Sequence, residues 1–244
     1  MLRGIYIAAG SMVNQTRKLD VASNNLANVD TTGFKKDLMV EEAADEKVIF
    51  NSGINTVPIG RLFFTVRPAE IFTDFQAANI VSTGNPLDLS IDGDGFFEVM
   101  SPNGVRYTRD GSFKRDANGY LVTGEGYRVQ GSNGDIYLPE GDITFDSHGG
   151  IYVGGQYVDS VRVLEFPDKT VLRKEGDNLF VSQGQGNTVL NPIIKSGFLE
   201  ASNVNPVNEM VDMIDLMREY ETNQRVITTM DSTLEKSVND LGRV

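Results

Sequence analysis

Two stretches of this chain step their apolar residues by three and four, and they lie at opposite ends. Near the C-terminus the row runs Met210, Met213, Met217, Tyr220, Gln224, Ile227, Asp231, Leu234, Val238 and Leu241, apolar at eight of ten positions. That 3-4 spacing, held for more than four heptads, is the signature of a coiled-coil seam. Asn205-Pro206 opens the predicted helix, because the residue before proline avoids helical geometry and proline suits the first turn. Gly242 closes it. About 36 helical residues reach roughly 54 Å, too long a stripe to go without a partner. The first thirty residues offer one, since Ile5, Ala8, Met12, Gln15, Leu19, Ala22, Leu26 and Val29 follow the same steps. The same periodicity also fits two amphipathic helices packed on a globular core.

Between these arms the pattern changes. After Val29, Asp30-Thr31-Thr32-Gly33 combines turn formers with a glycine able to take positive φ, which ends the first helix. Asn24, Asn25 and Asn28 precede it; they read either as a frayed last turn or as polar contacts to neighbouring chains. Residues 34–86 predict an extended, partly β connector. Within it, Leu38 to Phe50 has a helix-compatible composition, Leu62 to Val66 and Ile71 to Phe75 read as strands, and Pro58 and Pro68 interrupt. From Leu87 short β-rich runs, such as Phe96 to Val99 and Val161 to Phe166, alternate with Asn103-Gly104, Asp110-Gly111, Asn118-Gly119, Asn133-Gly134 and Gly154-Gly155. Asn-Gly and Asp-Gly between β-rich runs are strong hairpin signals, so residues 87–196 predict an antiparallel sandwich or barrel. Four segments result: an N-terminal helical arm (1–33), the connector (34–86), a β-rich central domain (87–196), and a C-terminal connector and long helix (197–244). The expected class is mainly β with helical termini, the two helices forming a coiled-coil-like inner domain.

Charge sharpens this picture. The chain of 244 residues has a net charge of −12 and a pI near 4.6. Basic residues gather no further than pairs such as Lys35-Lys36, which argues against nucleic acid. Residues 1–29 carry a net charge of +2 and residues 206–244 one of −4, which favours their meeting, although exposed pairs contribute little. There is no cysteine, so disulfides, thiolate metal sites and cysteine nucleophiles are out. No apolar run reaches the eighteen or so residues of a membrane span. Ile5 to Ala9 is too short for a signal-peptide core.

Candidate chemistry is thin. Asp92-Gly93-Asp94-Gly95 fails the EF-hand pattern, whose glutamate position holds Asn103, and reads as a tight turn. His148, the only histidine, sits beside Gly149-Gly150 and reads as a turn residue. No G-x-S-x-G, P-loop or G-x-G-x-x-G is present. Carboxylates are many, yet nothing in the pattern pairs two of them for glycoside hydrolysis. Arg106-Tyr107-Thr108-Arg109-Asp110-Gly111 reads as a hairpin with a local Arg–Asp pair, or else as a contact surface. No cofactor or metal is expected, and no catalytic activity.

Three sets of residues carry a resemblance. Ser23 to Asn28 followed by Thr32-Gly33-Phe34-Lys35 resembles the N-terminal signature of bacterial flagellar rod and hook proteins. Gly95-Phe96-Phe97, Tyr107 to Phe113 and Gly119 to Thr123 resemble their shared central module. Leu199 to Asn205 with Glu209-Met210-Val211 and Tyr220-Glu221 resembles their C-terminal signature. The length suits a rod protein. Val57-Pro58-Ile59, Ile71 to Asp74 and Asn205-Pro206-Val207 lean towards the proximal-rod type rather than the distal one. The resemblance implies a structural subunit exported by the flagellar type III apparatus without a cleaved signal. Such subunits stack helically through their terminal helices and transmit torque, with other copies and other rod and hook proteins as partners. On this reading the assembly residues are Ile5, Met12, Leu19, Asn24, Asn25, Leu26, Asn28, Met210, Met213, Met217, Tyr220, Ile227, Leu234, Val238 and Leu241. The competing readings are a hook-type subunit, an adhesin or other binding module on a coiled-coil stalk, and a carbohydrate hydrolase on the β body.

Overall fold

The computed structural model describes the backbone of residues 2–50 and 58–241 and the side chains of residues 4–42 and 70–239. Val57, one of the residues leaning towards the proximal type, lies outside them, as do Gly242 and the side chain of Leu241. The chain is mainly β with helical termini, and it divides into two compact units. One comprises residues 1–27, 37–72 and 205–244; the other comprises 28–36 and 73–204. These units cut across the four segments expected from sequence.

The first unit holds α1 (Leu2–Ala27), α2 (Pro206–Leu241), β1 (Asp37–Phe50) and β2 (Pro58–Thr73), with β1 and β2 paired as a two-stranded sheet. Asn205 caps α2: its side-chain oxygen accepts from the backbone N–H of Val207 at 3.0 Å and of Asn208 at 3.3 Å, satisfying two donors the first turn leaves open. The helix-compatible composition of Leu38 to Phe50 is overridden, and the segment is a strand. Its start is templated by Asn25, whose amide donates to the Asp37 carbonyl and accepts from the Asp37 N–H, each at 2.9 Å, as a neighbouring strand would. The two short strands expected after it merge into β2, with Pro68 inside. A two-stranded sheet has a free edge on each strand, where proline displaces no ladder bond.

The second unit is the β body. Its strands include β3 (Ile80–Ser82), β4 (Leu89–Ile91), β5 (Phe96–Ser101) and β6 (Gly104–Thr108). The main sheet runs Leu172–Gly176, Leu179–Ser182, β6, β5, Arg128–Gly131, Leu121–Val122 and Lys114–Arg115, paired antiparallel throughout. Two hairpins show how local chemistry sets register. Val153 faces Gln156 across Gly154-Gly155, both at positive φ (57° and 82°), the type I′ geometry glycine makes cheap. Gly176 faces Leu179 across Asp177-Asn178, at φ 48° and 56°; these are the residues other than glycine that best tolerate that region.

β5 organises two cores, because its side chains alternate across a sheet buried on both faces. Phe97 and Val99 join Leu89, Ile91, Phe113, Leu121, Val129 and Ile151. Phe96 joins Leu164, Phe166, Leu172 and Phe180, with Phe75 and Phe96 meeting edge to face at 5.6 Å. Each fully buried aromatic or aliphatic side chain contributes about 1.5–3 kcal/mol.

Candidate assembly interface

Within the helical unit α1 and α2 pack antiparallel. Met230 lies against Gly4, Asn223 donates to Ser11 Oγ at 3.2 Å and to Gln15 Oε1 at 3.1 Å, and Asn25 donates to Glu209 at 3.5 Å. A Cβ on Gly4 would stand 2.5 Å from Met230 Cε and 2.9 Å from its Sδ, so the tip of the Met230 side chain occupies the space that Gly4 leaves open. On α1 the expected row faces inward: Ala8, Gln15 and Ala22 are buried, and Ile5, Met12, Leu19 and Leu26 half-buried.

On α2 the expected row is half displaced. Met213, Tyr220, Ile227 and Leu234 are half-buried. The alternate positions belong to Glu209, Leu216, Asn223, Met230 and Ser237, each one residue earlier than expected. Met210, Met217 and Val238 are instead 46, 50 and 69% exposed, and Gln224 and Asp231 are exposed as well. On this face α1 presents Ser11, Gln15 and Asn25, which are met by the polar Asn223 and Glu209. Gln15, 6% exposed, also donates to Glu219 at 3.3 Å. Polar pairs inside a helical seam specify alignment at a cost in stability.

The outward faces are apolar in part. α2 exposes Val207, Val211 and Ile214, and α1 exposes Tyr6, Ile7 and Val13. Since the helices run antiparallel, these patches lie towards opposite ends of the pair. An open groove of about 560 Å³ between the helices is lined by Ser11, Gln15, Asp215, Arg218, Glu219, Thr222 and Asn223. Of the asparagine cluster, Asn25 is buried at 2% exposure, Asn24 is exposed, and Asn28 is half-buried, accepting from the Thr31 hydroxyl at 3.2 Å.

The β body contains a constellation the sequence did not announce. Lys35, fully buried, donates to Glu200 Oε1 at 2.6 Å and to the Gln76 carbonyl at 2.7 Å. Arg109, 3% exposed, donates to Glu200 Oε2 at 3.3 Å and to the Gly93 carbonyl at 2.7 Å, with its guanidinium 5.2 Å over the Phe96 ring. Glu200 Oε1 also accepts from the Ala78 N–H at 3.0 Å. Burial pulls the proton affinities of Lys35 and Arg109 down, and Glu200 opposes that in both. Around this triad the segment Thr31 to Lys36 is threaded tightly. The Gly33 N–H donates to the Glu200 carbonyl at 2.7 Å, Thr32 to Asp110 at 2.7 Å and Asn178 to the Thr32 carbonyl at 2.6 Å. Gly33 sits at φ 66° with the Arg109–Asp110 backbone against it, so no Cβ fits. Asn203 accepts from the Lys36 N–H at 2.7 Å and donates to the Asp74 carbonyl at 2.8 Å.

The local Arg–Asp hairpin pair expected in Arg106–Asp110 is replaced by longer reaches. Arg106 pairs with Glu175, Arg109 with Glu200, and Asp110 with Thr32. Lys35 and Glu200 are 165 residues apart. No periodicity links them; the only local sign was a lysine beside a turn. Asp92 and Asp94 pair with Lys195 and Lys169 at 2.7 and 2.6 Å. The ring of His148 lies 3.3 Å from the Pro192 carbonyl.

Both termini thus meet in one antiparallel helical pair, with a β body between them in sequence. Three family models match the chain: "Flagella basal body rod protein" over residues 5–35, "Flagellar hook protein FlgE/F/G D1 domain" over 90–153, and "Flagellar basal body rod FlgEFG protein C-terminal" over 195–241. It is 34% identical to the flagellar basal-body rod protein FlgG of Bacillus subtilis, over 98% of this chain and 99% of that one. It is 35% identical to the flagellar basal-body rod protein FlgF of Caulobacter vibrioides over the whole of both. The chain belongs to the flagellar basal-body rod protein family. Its near-equal identity to relatives of both names does not separate the two types. The buried triad takes one charge from each matched segment: Lys35, Arg109 and Glu200.

Proposed function

We propose that the chain is a structural subunit of the flagellar rod that polymerises helically through its terminal helices and passes torque from motor to hook, with no chemistry of its own. The observation that carries this reading is the outer surface of the helical pair. Two apolar patches, Tyr6-Ile7-Val13 on α1 and Val207-Val211-Ile214 on α2, differ in composition and lie towards opposite ends of the pair. A surface of one kind meeting a different surface on the next copy is heterologous and grows an open helix when the rotation does not close. Charge supports the same pairing, since exposed Arg17 follows the α1 patch while Asp215 and Glu219 flank the α2 patch.

In this reading Ile5, Met12, Leu19, Asn25, Leu26, Met213, Tyr220, Ile227 and Leu234 hold the pair together. Met210, Met217 and Val238, with Asn24 and Asn28, meet neighbouring subunits. Among the described residues no helix is long and apolar enough to cross a membrane. The subunit reaches the basal body through the flagellar type III apparatus and joins other rod and hook proteins there.

Electron cryotomography of basal bodies from a strain lacking this gene tests the role. A rod absent or cut short at one height is the expected result, and the height of the stub assigns the proximal or distal position. Intact rods and normal swimming would overturn the reading.

A further inference from the structure

The clasp around Glu200 has a direction along the chain. Lys35 and Arg109 belong to its first half, whereas Glu200 comes near its end, with 41 residues following Asn203. Both cations are buried, and their carboxylate partner in the clasp is Glu200. The same late segment supplies backbone partners as well. Ile194–Ser196 is the ladder partner of β4, whose Leu89 and Ile91 are core residues. Phe198–Glu200 pairs with β3. The Gly33 N–H donates to the Glu200 carbonyl and the Lys36 N–H to the Asn203 side-chain oxygen, while the Asn203 amide donates to the Asp74 carbonyl.

We propose that the β body cannot close until residues 194–203 arrive, so that a chain appearing N-terminus first keeps residues 73–193 unfolded until its synthesis or passage is almost complete. A body closing earlier must bury two cations without their hydrogen-bonded carboxylate, leaving only the more distant Asp74 near Lys35 and Asp94 near Arg109. Lysine can escape by losing its proton, but arginine cannot. It must also bury the β4 backbone without its ladder partner. Most domains fold as units as soon as they emerge. This one is held back by placing the counter-charge in its last strand. The consequence is a chain that stays extended while in transit and commits to its fold only at the end. The inference is independent of the rod assignment, because it concerns the β body alone.

Synchronised cell-free synthesis of the full chain with pulse proteolysis tests it. A resistant fragment spanning the β body should appear together with finished chains. Its appearance before Glu200 has been added would overturn the proposal. Two full-length variants separate the charge from the strand. In Glu200→Ala, amide exchange across β5 and β6 should reveal an opening equilibrium raised about a hundred- to several-thousand-fold. Loss of protection confined to residues 198–203 would refute the coupling. The combined variant Lys35→Met, Arg109→Met, Glu200→Leu removes both buried cations with their partner. It should recover protection across β5 and β6, and failure to do so would refute the role of charge.

Discussion

The helical pair and the clasp both place polar groups where chain segments meet, but under opposite conditions. In the helical unit Gln15, Asn223 and Glu219 bond along a seam beside an open groove, and most of the α2 positions facing α1 are only half-buried. Water competes there, so each bond contributes modestly and the seam can be remade against another partner. In the clasp Lys35, Arg109 and Glu200 are out of water, and each depends on the others. A desolvated charge network stabilises little as a whole, yet removing one member leaves the rest uncompensated. The first region is suited to exchange partners in an assembly; the second is suited to be made once and kept.

That contrast can be broken in a graded series. Glu200→Ala should cost the β body about 3–5 kcal/mol, read from urea unfolding followed by its tyrosine signal. A loss under 1 kcal/mol would mean water or a neighbour replaces the carboxylate. Leu216→Asp puts a charge on the α2 face that meets α1 and should cost the helical pair about 1–3 kcal/mol, measured as lost helical circular dichroism. Met217→Asp, one residue on, points outward. Its effect on the isolated chain should stay within about 0.5 kcal/mol while rod assembly fails. Equal loss of helix in both variants would contradict the seam described above. Asn25→Ala removes both bonds to Asp37 and should cost about 1–2 kcal/mol, with amide exchange at Asp37 and Leu38 accelerated.

The smallest effect expected is with acid. In the β body Asp94 is held below the ordinary 3.8 by its bond from Lys169, Asp135 by Gln130 and Arg128, and Glu175 below 4.5 by Arg106. The unfolded chain therefore binds protons at a higher pH than the folded one. This stability is present above about pH 5 and declines as pH falls through the depressed values. Thermal unfolding between about pH 5 and pH 2 should show the decline, and Asp135→Asn should flatten it.

Much of the fold was legible in local pattern. The 3-4 steps located both helices, Asn205-Pro206 the start of α2, and Gly154-Gly155 a hairpin with positive φ at both loop positions. The resemblance placed Thr32 to Lys35 and Leu199 to Asn205 together as signatures without saying why they matter to each other. Leu38 to Phe50 misled because composition reports intrinsic preference, whereas Asn25 imposes an extended start from another element. Arg109 misled because its nearest carboxylate in sequence, Asp110, is occupied by Thr32.

The sequence by itself determined which segments are helical, where the hairpins turn and how much apolar material each strand can bury. These depend on residues within a turn or two of one another. Only the tertiary structure decided which face of α2 meets α1. Steps of three and four run through two adjacent rows, and the choice between them rests on Gly4, Gln15 and Asn25 across the seam. It alone decided, too, that Lys35, Arg109 and Glu200 form one buried network. Their attraction acts through space, and no local periodicity records a partner 165 residues away.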